Sequence, residues 1–120
     1  GTYDCFLEEN TRLPMMYMED AIDATIKIMQ AKSDDIKLRT SYNISAIDFT
    51  PKELAVQIRQ YIPNFSITYS QDFRQEIADS WPNTIDDSEA RKDWGWSPTY
   101  TLSSMTEEIV KNLLAQKNQY

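Results

Sequence analysis

The chain has 120 residues, 41% of them hydrophobic and 26% charged, which fits one domain with a core and is too apolar for a disordered segment. Nineteen acidic residues against 12 basic ones give a net charge of −7, which disfavours a phosphate-backbone partner; the densest basic stretch is only Arg91-Lys92. With no histidine and one cysteine, Cys5, the chain lacks the usual general base and the commonest metal ligand, and it cannot form an intramolecular disulfide. A zinc site is therefore not expected, and Cys5 reads as a packing residue in a reducing compartment. A domain of this size should bury roughly 65% of its unfolded surface. No apolar run approaches the length of a membrane span, and no signal-peptide pattern is visible.

Residues 1–13 read as an extended piece, Tyr3 to Leu7, followed by a polar turn. Pro14 keeps Leu13-Pro14-Met15-Met16 out of a helix interior. A helix is expected over 19–31, with Ile22, Ile26 and Met29 forming its apolar stripe and Glu19 and Asp20 at its favourable N-terminal end. Tyr42-Asn43-Ile44-Ser45 reads as a strand entering a loop. Thr50-Pro51-Lys52-Glu53 has the pattern of a capping box with proline at the first helical position. The helix behind it presents Leu54, Ala55, Ile58, Tyr61 and Ile62, and must end by Pro63.

Phe65 to Tyr69 alternates apolar and polar residues, the pattern of a strand with one wet face. Short helices are expected over 71–79 and 87–94, the second closed by Gly95. Ser104 and Glu107 can form another capping box, ahead of a stripe of Met105, Ile109 and Leu113 with Leu102 and Leu114. Helices separated by short strands make the chain α/β, or α+β in isolation.

Few residues here can carry chemistry. A dinucleotide site needs a glycine-rich turn that lets backbone approach a pyrophosphate, and the two glycines, Gly1 and Gly95, do not make one. No tyrosine is followed four residues later by lysine. The carboxylate pairs Glu19-Asp20, Asp34-Asp35 and Asp86-Asp87 are expected at helix starts and on solvated surface. Trp94 and Trp96 are expected to pack the last helices. Trp81, between Ser80 and Pro82 in an irregular segment, can wall a substrate pocket or serve a core or domain interface. Arg12 can clamp a substrate carboxylate through two bonds, or be an ordinary surface arginine. Met15 to Met18 reads as core or interface packing.

Three stretches together resemble the extended short-chain dehydrogenases, the NAD-dependent epimerase/dehydratase superfamily. Met15-Met16-Tyr17-Met18-Glu19-Asp20-Ala21 is similar to the motif that begins their substrate-domain helix. Tyr42-Asn43-Ile44 with Phe49-Thr50-Pro51-Lys52-Glu53-Leu54-Ala55 resembles the segment that leads into a capped helix. Asp86 to Pro98, with its Gly-Trp-x-Pro close, resembles their final segment. Within that superfamily, Thr11-Arg12-Leu13-Pro14-Met15-Met16-Tyr17, Ser45-Ala46 and Ile77-Ala78-Asp79-Ser80-Trp81-Pro82 are similar to the short-chain type of L-threonine 3-dehydrogenases. Sugar-nucleotide epimerases usually carry a phosphate-binding arginine where Leu13 falls, and Arg12 is one place off.

The resemblance implies that residues 1–120 are the C-terminal substrate-binding portion of a longer enzyme, with the Rossmann domain largely absent. It implies NAD bound mainly by that absent N-terminal domain, a small amino-acid substrate, and oxidation of threonine to 2-amino-3-ketobutyrate. It further implies a homodimeric parent and no activity in the 120 residues alone. The location implied is cytoplasmic, or mitochondrial matrix in a eukaryote. Trp81 is then the first candidate for the substrate wall and Arg12 the second. The alternatives are the substrate domain of a sugar-nucleotide epimerase or dehydratase, and a non-catalytic acidic interaction domain.

Overall fold

A computed structural model of the chain describes residues 1–117. Its elements are β1 (Thr2–Cys5), β2 (Leu13–Met15), α1 (Met18–Gln30), β3 (Ile47–Phe49), α2 (Pro51–Tyr61), β4 (Ser66–Tyr69), α3 (Arg74–Asp79), α4 (Ser88–Trp94) and α5 (Leu102–Lys117). The α/β expectation holds. β1 and β4 pair in parallel, Tyr3 opposite Ile67, and β2 and β3 pair antiparallel, Leu13 opposite Phe49.

Local chemistry explains most boundaries. The Thr50 hydroxyl accepts the Glu53 N–H at 3.2 Å, and the Glu53 carboxylate accepts the Thr50 N–H at 3.0 Å, so the capping box that starts α2 is complete. Gly95 ends α4 at φ 72°, in the left-handed region where a side chain is strained. β4 alternates exposed and half-buried residues, as its sequence pattern requires.

Four expectations are corrected. Tyr42–Ser45 is not a strand, because side chains take its backbone groups: the Ser45 N–H goes to Asp87 and the Ser45 carbonyl to the Trp96 indole N–H. The second capping box lies one turn earlier. Leu102 is already helical, so Thr101 caps α5 and exchanges bonds with Ser104 at 2.9 and 3.2 Å, leaving Glu107 out. The apolar stripe of α1 faces solvent: Ile22 is 54% and Met29 79% exposed, while Asp20 and Ala24 are buried. In α5 the buried face is Met105, Thr106 and Val110, and Ile109, Leu113 and Leu114 are exposed.

Packing is divided between two small clusters. Cys5, Leu7, Leu13 and Ala78 form one, under β1, β2 and α3. Ala24, Ala90 and Trp96 form the other, between α1 and α4, with Tyr42, Ile44 and Trp94 against it. The radius of gyration is 17.2 Å, against about 13.6 Å for a compact domain of this length. The accessible surface is 8267 Å², about 1,600 Å² more than the roughly 6,700 Å² expected of a folded monomer of this mass. The shortfall in burial is a property of this fold and bears on what covers it.

Candidate functional site

The turn between β1 and β2 and the helix α3 meet around Gln75. Its side-chain oxygen accepts the Glu8 N–H at 2.8 Å, and its amide nitrogen donates to the Thr11 hydroxyl at 2.9 Å and to Asp79 at 2.7 Å. This one side chain fixes α3 against residues 8–11. Nothing in the sequence marked Gln75, because its role depends on contacts 64 residues away.

Two cavities open beside that junction and share Ala78. One, of 250 Å³, is polar and includes Glu8, Asn10, Arg12, Asp79 and Asn83 among its lining residues. The other, of 160 Å³, is apolar and is walled by Phe6, Leu7, Leu13, Ile77 and Trp81, with Arg74 at its edge. The Arg74 guanidinium lies 3.4 Å from the centre of the Phe6 ring and is held there by its ion pair with Asp72. Trp81 follows α3 in a turn closed by its own N–H to the Ala78 carbonyl at 3.1 Å, and half its surface is exposed. The structure therefore puts Trp81 on a pocket wall and Arg12 on the adjoining cavity, not in one site.

Arg12 is already engaged. One guanidinium nitrogen reaches Asp48 at 2.7 Å and the other reaches Glu53 at 2.6 Å. These bonds tie the residue just ahead of β2 to β3 and to the first turn of α2. They raise the Arg12 pKa further, through Asp48 first and Glu53 second. Glu53 is lowered by the Thr50 N–H and by Arg12. To clamp a substrate carboxylate through both nitrogens, Arg12 would have to release its own partners.

The segment that carries most of the family resemblance is a structural lock. Asp20, 1% exposed, accepts the backbone N–H groups of Thr99 at 2.8 Å and Tyr100 at 3.0 Å. Asp87 accepts from Ser45 and from Arg91, the latter at 2.7 Å. Burial pushes the Asp87 carboxyl up, but Arg91 and the Ser45 N–H outweigh it and hold the group below the usual carboxylate range. Asp20 and Asp87 thus depart from the solvated surface expected of them, whereas Asp86 bonds the Ser88 N–H beside the start of α4 as expected. Trp94 and Trp96 pack near each other and near Tyr42, whose hydroxyl donates to Asp93 at 2.6 Å.

The residues present do not fit a dinucleotide. The chain has only two glycines, 94 positions apart, so it has no glycine-rich turn, and Gly95 is used as a helix cap. Among the described residues, no group of three or more His, Cys, Asp or Glu could hold a metal ion, and no helix is long and apolar enough to cross a membrane.

No family model matches the chain. It is 48% identical over 111 residues to the mitochondrial L-threonine 3-dehydrogenase of Bos taurus, covering 92% of this chain and 30% of that protein. It is 46% identical over 112 residues to an uncharacterized epimerase/dehydratase of Staphylococcus haemolyticus, covering 92% of this chain and 35% of that protein. Among solved structures, the holo form of a GalE-like L-threonine dehydrogenase from Cupriavidus necator matches with a TM-score of 0.91 and 51% identity, over 93% of this chain and 36% of that one. Homologues and structural neighbours are thus L-threonine 3-dehydrogenases and epimerase/dehydratases, matched in their C-terminal part. The chain spans about a third of the length of these relatives.

Proposed function

We propose that the chain is the substrate-domain part of an NAD-dependent L-threonine 3-dehydrogenase. The parent would oxidise the threonine side-chain hydroxyl to give 2-amino-3-ketobutyrate, with NAD as hydride acceptor. The observation that carries this reading is a likeness of about half the residues, over nine-tenths of the chain, to proteins of that activity. NAD would be held mainly by an N-terminal Rossmann domain of the parent, since these residues contain no glycine-rich turn. No step of the chemistry is therefore assigned to this chain.

Its own contribution is to wall the substrate. Trp81 and Ile77 border a small apolar pocket that suits a short aliphatic group such as the threonine methyl. Arg12 shapes the adjoining polar cavity while tied to Asp48 and Glu53. The same ties weigh against a sugar-nucleotide substrate, whose diphosphate calls for an uncommitted arginine. The 120 residues alone would be inactive and the parent a homodimer, in the cytoplasm of a bacterium or the matrix of a mitochondrion.

The test is NADH formation by the full-length protein supplied with L-threonine and NAD. Trp81→Ala should raise KM for threonine by about tenfold, equivalent to ~1.4 kcal/mol of lost apolar contact, with KM for NAD unchanged. No turnover with threonine would refute the activity. Unchanged threonine kinetics in the variant would remove Trp81 from the pocket.

A further inference from the structure

The apolar pocket that Trp81 walls is only as well formed as α3, the element that leads into Trp81. α3 has six residues, well below the roughly 12–15 at which an isolated helix becomes even marginal in water. No side chain caps its N-terminus, and Ala78 is its buried residue. Its place in the fold is therefore set by tertiary bonds.

Those bonds are unevenly distributed. At the N-terminal end, the Gln71 amide donates to Glu8 at 2.6 Å, the Asp72 N–H reaches the Phe6 carbonyl at 3.4 Å, and Arg74 lies over the Phe6 ring. These ties act ahead of the helix or in its first turn. The C-terminal end, which faces Trp81 along the chain, depends on Gln75. The Gln75 oxygen accepts the Glu8 N–H and its nitrogen donates to Thr11, both in the turn between β1 and β2. The same nitrogen donates to the Asp79 carboxylate at 2.7 Å, one helical turn on. A single side-chain amide thus joins the rigid strand turn to the last residue of α3.

From Asp79 the path to Trp81 is short and stiff. The Ser80 hydroxyl donates to the Ile77 carbonyl at 2.6 Å, and the Trp81 N–H returns to the Ala78 carbonyl at 3.1 Å. A shift at the end of α3 is therefore passed to Trp81, and small displacements of a wall residue are felt in binding. Trp81 is 52% exposed, so its own packing does little to resist such a shift.

We propose that Gln75 is a positioning residue for substrate binding, which sets the place of Trp81 in the substrate wall through Asp79 and the last turn of α3. This rests on the reading of Trp81 as that wall. Gln75 also borders the polar cavity, so a direct contact with substrate is the competing role, and a double-substitution cycle separates the two.

The experiment is steady-state kinetics on the full-length protein with L-threonine and NAD, in the wild type, Gln75→Met, Trp81→Ala and the double variant. Gln75→Met should raise KM for threonine by about fivefold, the worth of one net hydrogen bond, with kcat and KM for NAD unchanged. In the Trp81→Ala background the same substitution should raise it by less than about twofold, because the residue it acts through is gone. Gln75→Glu keeps the acceptor for the Glu8 N–H but sets a second carboxylate against Asp79, so it should raise KM for threonine at least as far as Gln75→Met. An equal factor in both backgrounds would overturn the proposal in favour of direct contact. Wild-type kinetics in Gln75→Glu would remove Asp79 from the path, and a parallel rise in KM for threonine and NAD would mean general loosening; either result also overturns it. Trp81→Ala without effect would instead defeat the wall reading on which the proposal stands.

Discussion

Removing the Asp20 carboxylate should unlock the C-terminal third of the fold. Asp20 sits in the first turn of α1, 1% exposed, and is the acceptor for the consecutive N–H groups of Thr99 and Tyr100. Those two bonds hold the link between α4 and α5 onto α1. Asp20→Ala strands two part-buried donors and empties a buried position, at about 1–3 kcal/mol for each lost bond at most, so the expected loss is roughly 2–5 kcal/mol. Asp20→Asn keeps one acceptor oxygen and turns an amide donor toward the other N–H, so its loss should be about half as large. Against a total stability of about 5–15 kcal/mol, the alanine variant is severely weakened. Equilibrium urea unfolding, read by tryptophan fluorescence with the buried Trp96 as reporter, should move its midpoint down by about 1–2 M in Asp20→Ala. The order wild type, Asn, Ala is the diagnostic result. If both variants stayed within about 0.5 kcal/mol of wild type, the two bonds would not be holding the link.

Gly95→Ala should cost about 1 kcal/mol in the same assay, because the left-handed backbone at φ 72° is strained for alanine while the added carbon meets nothing. No loss would remove the conformational argument, and a loss several times larger would mean that a contact had been overlooked. Asp87 predicts an acid limb. Its folded pKa lies below its unfolded one, so its stabilisation is present above about pH 3.9 and lost as pH falls through the folded value. Asp87→Asn should lower stability at pH 7 and flatten the loss of stability below about pH 4; an acid limb identical to wild type would refute the role given to Arg91 and Ser45.

Signals that act over three or four residues were legible in the sequence. The Thr50–Glu53 box, the stop at Gly95 and the alternation in β4 all act within one turn or one strand, and the structure places them as expected. Tyr42–Ser45 failed because a strand needs a partner, and two distant side chains, from Asp87 and Trp96, took the Ser45 backbone groups instead. Asp20 looked like a surface residue at a helix start, since nothing local shows that residues 79 and 80 positions further on donate to it. The site was legible in the same uneven way. Trp81 stood out by its loop setting, whereas the commitment of Arg12 to Asp48 and Glu53, and the whole role of Gln75, arise from long-range contacts.

The outward turn of Ile22, Ile26 and Met29 has a different origin. Hydrophobic periodicity reports which face a helix is built to bury, and α1 is built to bury this one. Among the described residues no surface receives it, and none receives Leu113 and Leu114 on α5. A domain that folded for itself would have turned these stripes inward, because each fully buried side chain is worth about 1.5–3 kcal/mol. They stay outside because the inward positions are already specified by small and polar residues: Ala24, Ala90 and the bonded Asp20 allow α1 and α4 to approach closely around Trp96. The pattern in the sequence and the burial in the structure are consistent if the receiving surfaces belong to the other two-thirds of a protein as long as its relatives.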